Sequence, residues 1–513
     1  MRKPSLRRVR QGVQLLCLLG FLWLFLQTEY RGTDELAWPV SLLFRLDPLA
    51  ALAAALAPGP FGWKLLWPAL LLLLLTACFG RFFCGWICPL GTTLDGLGRA
   101  MGRGRSTPAP AWRRVKYFLL LALSAAALFG VQLLGIFDPL AIFLRTLTIA
   151  LYPAWNLLWN DAFDLLYEQR VPLLSPAAEA AWPFFRDRLL AFHPPAFTLA
   201  LFTLLVFLAI VLLERLERRF WCKNLCPLGA LLGLCSRHAL LTRTPSGACA
   251  GCAECLQNCR MAAISSQGRS KQQCVLCLDC AGFCPQEKVV FQLAAHQPSP
   301  GIDLTRRGTL TALATGLLIA PAVRLTPDPS RQNGYLLRPP GAVAEGEFLS
   351  RCIRCGECMK VCIGRALHPA FLQAGAAGIW TPLLIARIGY CEFNCTLCGQ
   401  VCPTGAIRRL PLEEKRKTVI GLAVFDRNRC LPYARGEECL VCEEHCPTEQ
   451  KAIVFETREV MVDGAPRRLK IPQVVTKRCI GCGICETRCP LAGESAIRVV
   501  NEGESRRPPL LLE

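Results

Sequence analysis

The chain has 513 residues, of which 53% are hydrophobic and 19% charged, with a mean hydropathy of +0.35. This length allows three or four domains, and this hydropathy excludes an ordinary soluble enzyme and indicates membrane-spanning segments. The formal net charge of +20 comes without a basic low-complexity tail or an aromatic-rich basic motif, so nucleic acid is excluded as a partner.

Four apolar runs in the first 215 residues are close to the ~20 residues that a helix needs to cross a membrane. They lie near residues 12–28, 63–80, 116–137 and 195–213. Basic residues before the first run and in 81–115 predict that these segments are cytoplasmic, with the acidic loop 138–194 outside. No histidine lies in these runs, so paired haem ligands are excluded. We predict an α-helical membrane domain over residues 1–240.

The two halves of this domain repeat one pattern, which predicts four spans in a tandem repeat. Each half has an apolar run, Asp-Pro-Leu, a second run and Arg-Phe-x-Cys-x3-Cys-Pro-Leu-Gly. A twofold axis along the membrane normal would bring the two cysteine loops together on the cytoplasmic face. The four central thiols are candidates for an extra metal centre, for redox dithiol chemistry or for a structural role. They belong to Cys84, Cys88, Cys222 and Cys226.

Each Asp-Pro-Leu motif begins with an aspartate, Asp47 in the first half and Asp138 in the second. Aspartate followed by proline is typical of a helix start, with Asp as the N-cap and Pro at the first helical position. We therefore interpret both residues as N-caps. Proton acceptors at a quinone site are the functional alternative.

Six further sets of four cysteines follow, and we number these quartets in chain order. Four of them read Cys-x2-Cys-x2-Cys-x3-Cys, and the fourth and fifth carry small insertions. The quartets are Cys249, Cys252, Cys255 and Cys259 (quartet 1); Cys274, Cys277, Cys280 and Cys284 (quartet 2); Cys352, Cys355, Cys358 and Cys362 (quartet 3); Cys391, Cys395, Cys398 and Cys402 (quartet 4); Cys430, Cys439, Cys442 and Cys446 (quartet 5); Cys479, Cys482, Cys485 and Cys489 (quartet 6).

This spacing is typical of 4Fe–4S clusters, because three close thiolates hold one cluster while the fourth reaches the neighbouring cluster. A disulfide scaffold would not place thiols two residues apart, and the total of 31 cysteines is odd. Structural zinc prefers two separated Cys-x-x-Cys pairs. We therefore predict six 4Fe–4S clusters, one for each quartet.

Three further segments follow the membrane domain. Residues 241–300, with quartets 1 and 2, are predicted to form a two-cluster ferredoxin domain of the α+β bacterial type. Residues 301–325 contain Arg306-Arg307 before a weakly apolar run, which is similar to a twin-arginine export signal and predicts a fifth span or a linker. Residues 326–513 form a four-cluster domain, periplasmic if the fifth span exists. Spacing leaves sequential and nested pairing of quartets 3 to 6 open.

The chain resembles two families of ferredoxin-type proteins. Residues 60–295 resemble the polytopic NapH/MauN family in Cys84–Gly91, Cys222–Gly229 and quartets 1 and 2. Residues 303–495 resemble the exported NapG/MauM family in Arg306-Arg307, quartets 3 and 6, and the segments around quartets 4 and 5. The chain departs from them in fusing the two parts, and in having Arg260 and Ile363 where proline usually follows the fourth cysteine.

The resemblance implies a quinol dehydrogenase in the bacterial inner membrane. Its partners would be quinol and a periplasmic redox protein, such as a multihaem cytochrome or a reductase. The resemblance also favours nested pairing of quartets 3 to 6. Because no motif for substrate chemistry is present, we predict an electron carrier without catalytic residues. The alternative is a maturation factor that supplies electrons to reduce a metal or a thiol of another metalloenzyme.

Overall fold

The computed structural model describes residues 6–58, 63–102, 112–169, 174–245, 254–265, 268–284, 288–293, 304–324, 333–462 and 465–506. Cys249 and Cys252 of quartet 1 lie outside these residues. The description below therefore includes Cys255 and Cys259 as the members of quartet 1.

The described part of residues 1–240 is mainly helical. Its helices are α1 (Leu6–Gln27), α2 (Ser41–Phe44), α3 (Pro48–Leu56), α4 (Trp63–Phe79), α5 (Pro89–Ala100), α6 (Val115–Leu128), α7 (Leu134–Phe137), α8 (Pro139–Thr146), α9 (Tyr152–Gln169), α10 (Leu174–Arg188), α11 (Ala200–Leu212) and α12 (Pro227–Cys235). Wider π-helical turns cover Phe83–Ile87, Leu147–Leu151 and Trp221–Leu225. The helical prediction for this domain is confirmed.

Two helices among the described residues are long and apolar enough to cross a membrane, Arg7–Gln27 and the continuous helix Pro139–Gln169. The four spans predicted from the sequence remain a prediction, because the helices at the last three positions have 17, 14 and 13 residues. Residues 138–194 were predicted as a loop, and this was wrong. Apolar residues at helical spacing, such as Ile142 and Ile149, are buried there and stabilise α8 and the turn after it.

Both aspartates of the Asp-Pro-Leu motifs are N-caps. The side chain of Asp47 accepts a hydrogen bond from the amide of Leu49 at 2.9 Å, and Asp138 accepts one from Ala141 at 3.0 Å. Proline occupies the first turn in both helices, where its missing N–H costs nothing. The N-cap interpretation of both residues is confirmed.

The ferredoxin domain that follows is built from short elements around quartets 1 and 2. Its strands are β1 (Leu241–Pro245), β2 (Ile264–Ser265), β3 (Gly268–Arg269) and β4 (Val289–Leu293), and its helices are α13 (Glu254–Gln257) and α14 (Asp279–Gly282). β1 pairs with β4 and β2 with β3, both antiparallel. This pairing joins the first and last strands around the cysteines, as expected for the predicted α+β fold.

Helix α15 (Arg306–Arg324) runs alongside α6. Gly308 lies against Phe118 at the start of α6, and Gly316 lies against Ala122 four residues further along. A Cβ at Gly316 would lie 2.3 Å from the carbonyl oxygen of Ala122, so only glycine permits this approach. Small residues at Gly308, Ala312 and Gly316 form the stripe that membrane helices use for close packing.

The four-cluster domain consists of antiparallel strand pairs and short helices. β5 (Leu367–Pro369) pairs with β6 (Pro382–Leu384), β7 (Leu422–Phe425) with β10 (Ile497–Val500), and β8 (Ile453–Val462) with β9 (Ala465–Val474). The helices cover Glu345–Arg351, Glu357–Lys360, Leu397–Val401, Leu412–Lys417, Leu431–Ala434, Val441–Glu444 and Ile484–Arg488. One cluster of buried apolar residues, including Phe348, Leu397 and Ile497, surrounds the cysteines.

Candidate iron–sulfur sites

Quartets 3 and 4 exchange their last cysteines. One cavity is lined by the first three cysteines of quartet 3 and the last of quartet 4: Cys352, Cys355, Cys358 and Cys402. A second cavity is lined by the converse set: Cys362, Cys391, Cys395 and Cys398. Each cavity therefore presents four thiols from two quartets, which is the arrangement expected for two adjacent 4Fe–4S clusters.

The same exchange links quartets 5 and 6, and quartets 1 and 2. Burial raises the pKa of Cys430 and Cys277, and the nearby thiols that also raise it identify each set. The charges of Cys439 and Cys489, which belong to quartets 5 and 6, raise the pKa of Cys430. Among the described residues of quartets 1 and 2, Cys277 is influenced by Cys274 and Cys259. Quartets 3 to 6 therefore pair sequentially, and the nested pairing favoured by the resemblance was wrong.

Backbone amides donate to the sulfur atoms of the exchanged cysteines. Ala263 donates to Cys259 Sγ at 3.2 Å, and Ile407 donates to Cys402 Sγ at 3.3 Å. An N–H donor stabilises a thiolate over a thiol and tunes the reduction potential of a bound cluster. These cysteines therefore fit cluster ligation, in which the protein supplies the thiolates and the cluster supplies one-electron chemistry.

Quartets 4 and 6 lie next to each other across the two halves of the four-cluster domain. The amide of Cys391 donates to the carbonyl of Cys482 at 2.8 Å. Both cysteines belong to the sites themselves, so this contact joins one cluster pair to the other. The order of sites along the domain is therefore quartets 3, 4, 6 and 5.

The four central thiols are also brought together. Burial raises the pKa of Cys88 and Cys226. Nearby cysteines of the other half raise the pKa of each of them further. Two arginines cross between the halves. Arg219 donates to the carbonyl of Cys84 at 2.8 Å, and Arg81 lies against the loop of the second half at Gly229. Both cysteine loops therefore meet in the interior, and their predicted position on the cytoplasmic face remains a prediction.

The two ferredoxin parts contact different segments of the helical domain. Near the central thiols, Arg81 donates to the carbonyl of Gln272 at 2.8 Å, two residues before Cys274. Near Asp138, a Cβ at Gly135 would lie 2.2 Å from the carbonyl oxygen of Ile353. Lys360 pairs with Glu29 at 2.7 Å. Residues beside quartets 2 and 3 are thus in direct contact with the helical domain.

An apolar cavity of about 460 Å³ opens between α1, α2 and the first cysteine loop. Its walls include Phe21, Leu46, Ile87 and Leu140. Three of these wall residues adjoin buried polar groups. Leu46 precedes Asp47 and Ile87 precedes Cys88 in the chain. The amide of Leu140 donates a hydrogen bond to the carboxylate of Asp138. The cavity thus has apolar walls with polar groups directly behind them.

The carboxyl groups of Asp47 and Asp138 lie close enough to affect each other's pKa. Asp47 is fully buried and Asp138 is 2% exposed. Burial and the neighbouring Asp138 raise the pKa of Asp47 well above its ordinary value. Burial therefore favours the protonated form of Asp47 over its charged form.

Sequence reasoning missed one carboxylate, Asp95. Its carboxylate forms ion pairs with the guanidinium groups of Arg219 and Arg260, each with an N–O distance of 2.7 Å. These ion pairs link the helical domain to the ferredoxin domain. Arg260 also pairs with Asp279. One indication of this contact is visible in the sequence, namely Arg260 at a position where proline is usual. A proline there could pair with neither Asp95 nor Asp279.

No group of three or more His, Cys, Asp or Glu side chains in the described ranges could hold a single metal ion.

The crossed cysteine sets define an iron–sulfur protein of the ferredoxin type. A family described as "4Fe-4S binding domain" matches residues 60–108 and 197–244, and one described as "4Fe-4S dicluster domain" matches residues 266–363. The first family matches twice, once over each loop of central thiols. The dicluster match covers quartets 2 and 3, although in the structure these quartets belong to different pairs.

Several curated proteins are similar to the chain. The methylamine utilization ferredoxin-type protein MauM of Methylorubrum extorquens is 39% identical over 174 residues, which is 33% of this chain and 75% of that protein. The ferredoxin-type protein NapG of Escherichia coli is 38% identical over 182 residues, 35% of this chain and 76% of that protein. NapF of Escherichia coli is 29% identical over 38% of this chain. No solved structure gives a significant match.

These matches make the chain a member of the MauM/NapG family of ferredoxin-type proteins, over about a third of its length. It is a 4Fe–4S electron-transfer protein. Its two long apolar helices, one of them near the N-terminus, suggest membrane association.

Proposed function

We propose that this protein takes electrons from quinol in the bacterial inner membrane and delivers them to a periplasmic redox protein. The observation that carries the proposal is the apolar cavity beside the first cysteine loop. Its volume and its apolar walls suit a quinone ring with part of its tail. The neighbouring helix α1 is one of the two helices long enough to cross a membrane, so a lipid-soluble substrate could enter from the bilayer.

Residues behind the cavity wall provide the proton chemistry. Oxidation of one quinol releases two electrons and two protons. The Asp47–Asp138 pair can accept one of these protons, because burial raises the pKa of both carboxyl groups. The bound clusters would supply one-electron transfer. The sites of quartets 3, 4, 6 and 5 then lead away from the helical domain towards the periplasmic partner.

The test is to add a short-tailed quinol analogue to the anaerobically purified full chain and to follow cluster reduction by EPR. We expect reduction of clusters in the unmodified protein. If no cluster is reduced although dithionite reduces them all, quinol is not the donor and the proposal fails.

The carboxyl pair is tested by Asp47→Asn. Asparagine is an equally good N-cap, so α3 should keep its stability, but an amide cannot accept the proton. We expect the rate of cluster reduction by the quinol analogue to fall at least tenfold, with unchanged reduction by dithionite. The matched variant Asp34→Asn changes a carboxylate outside the cavity and should leave the rate unchanged. An unchanged rate in Asp47→Asn would remove this residue from the proton path.

A further inference from the structure

We propose that the four central thiols together hold one additional 4Fe–4S cluster, shared between the two halves of the helical domain. Each half contributes two cysteines, so neither half can complete the site alone. The match of the "4Fe-4S binding domain" family to both halves agrees with this, because each match contains only two of the four thiols.

The charges around the site support a metal-bound state of the thiols. Arg81 is 0% exposed, and it has no carboxylate within ion-pair distance among the described residues. Its Nη2 atom lies 3.7 Å from Cys84 Sγ, and its Nε has no hydrogen-bond partner. A buried guanidinium without a counter-ion is strongly destabilising. Among the described residues, the thiolates of Cys84 and Cys226 can balance it.

Lys116 adds a second buried cation. Its side chain is fully buried, and its ammonium donates to the amide oxygen of Gln273 at 2.8 Å. Burial and Arg81 lower the pKa of Lys116 well below its ordinary value, and the negative charges of Cys226, Cys84 and Cys222 act in the opposite direction. Arg219 brings a third cation, which shares Asp95 with Arg260.

This charge balance separates the three interpretations of the thiols. Two disulfides or four neutral thiols would leave Arg81 uncompensated in the interior. Four thiolates around a 4Fe–4S core of charge 2+ carry a net charge of about −2, which would balance the buried basic groups beside them. The redox dithiol and the purely structural role are therefore disfavoured.

The backbone is shaped for the crossing of the two arginines. A Cβ at Gly229 would lie 2.7 Å from Arg81 Nη2, and one at Gly91 would lie 3.4 Å from Arg219 Nη2. Each glycine follows the second cysteine of its own half by three residues. In each half, the arginine of the other half thus reaches the backbone beside this glycine, which brings both loops to one shared site.

The position of the site gives it a role in the protein. It lies inside the helical domain, beside quartet 2 on one side and behind the wall of the apolar cavity on the other. A cluster here would lie between the two ferredoxin parts. The existence of this metal site does not depend on the proposed oxidation of quinol.

The test uses Cys84→Ser and Cys222→Ser in the full chain, purified anaerobically, with iron and sulfide measured per chain. We expect each variant to lose about four irons and four sulfides relative to the unmodified protein, and the double variant to lose no more than either single one. The controls are Cys78→Ser and Cys235→Ser, which change cysteines outside all motifs and should lose none.

A second variant guards against loss of folding. Arg81→Gln keeps all thiols but removes a positive charge beside them, so one EPR signal should shift to a lower reduction potential while the others stay unchanged. Unchanged iron in the cysteine variants, zinc at one equivalent per chain, or a disulfide between these thiols would overturn the proposal. Quinol oxidation is measured separately, and its failure would leave these iron counts as they are.

Discussion

At Glu345, one buried carboxylate holds together the beginning and the end of the four-cluster domain. It pairs with Arg338 and Arg506, both at 2.6 Å. Burial alone would raise the pKa of Glu345, but the two guanidinium groups outweigh it and lower the pKa to about 2. The carboxylate therefore stays ionised through the whole physiological range, and the C-terminal segment stays attached.

The prediction at this scale is that Glu345→Gln destabilises the protein by about 3 kcal/mol, because Arg338 loses its carboxylate in the interior. A lowered pKa stabilises the fold above the unfolded value of about 4.3, and this stabilisation is lost as the pH falls towards 2. The difference in thermal midpoint, measured by circular dichroism, should be constant from pH 8 to pH 6 and shrink below about pH 4.

The matched control is Glu459→Gln, which changes one partner of an exposed ion pair with Arg468. Such pairs contribute little, so the midpoint should stay within error. A difference between Glu345→Gln and the unmodified protein that grows on acidification would contradict the assignment of the lowered pKa.

The sequence predicted the chemistry of single residues where that chemistry needs fixed spacing. The quartets are such a case, because a short loop can place three thiols around one cluster only at these intervals. Asp95 could not be predicted, since Arg219 and Arg260 come from segments far apart from it in the chain. Arg260 was visible as a departure from proline, but its partner was not.

At the scale of helices and strands, α15 connects the two ferredoxin parts along α6. Gly316 allows the two backbones to touch at Ala122, as small residues do in membrane helices. Position and direction together support the predicted fifth span, although α15 is not one of the two helices in the described ranges that meet the length and hydropathy criteria.

The prediction at this scale is that Gly316→Leu separates α15 from α6, because the side chain would collide with the carbonyl of Ala122. Limited proteolysis should then cut near α15 at least ten times faster, with the iron content of the protein unchanged. Ala314→Leu changes an exposed position of the same helix and should leave the rate as it is. Equal rates for both variants would show that the close contact does not hold α15 in place.

The pairing of quartets 3 to 6 could not be predicted from spacing. Similar intervals separate all four quartets, so sequential and nested pairing close loops of acceptable length in both cases. The decision comes from packing, since the short helix Glu357–Lys360 contacts Leu397–Val401, and Val441–Glu444 contacts Ile484–Arg488. Residues 138–194 were misjudged because charge asymmetry was given more weight than helical periodicity.

For the whole molecule, the two ferredoxin parts contact different segments of the helical domain. We predict that these two parts lie on opposite sides of the inner membrane. An alkaline phosphatase fusion after Glu513 should then be active, because that enzyme needs the oxidising periplasm, and a fusion after residue 300 should be inactive.

A β-galactosidase fusion at the same two positions is the control, and it should show the converse pattern. Active phosphatase at both positions, or at neither, would place all clusters on one side. In that case α15 would be a linker, and electrons would not need to cross the bilayer.

The exchange of cysteines between neighbouring quartets has an evolutionary consequence. A single quartet that is duplicated or deleted leaves one incomplete set of three thiolates and one orphaned fourth cysteine. Genes for such proteins can therefore lengthen or shorten only by whole pairs of motifs. Relatives of this chain should contain even numbers of quartets. An odd number would indicate the recent loss of one quartet, which leaves one cluster site incomplete.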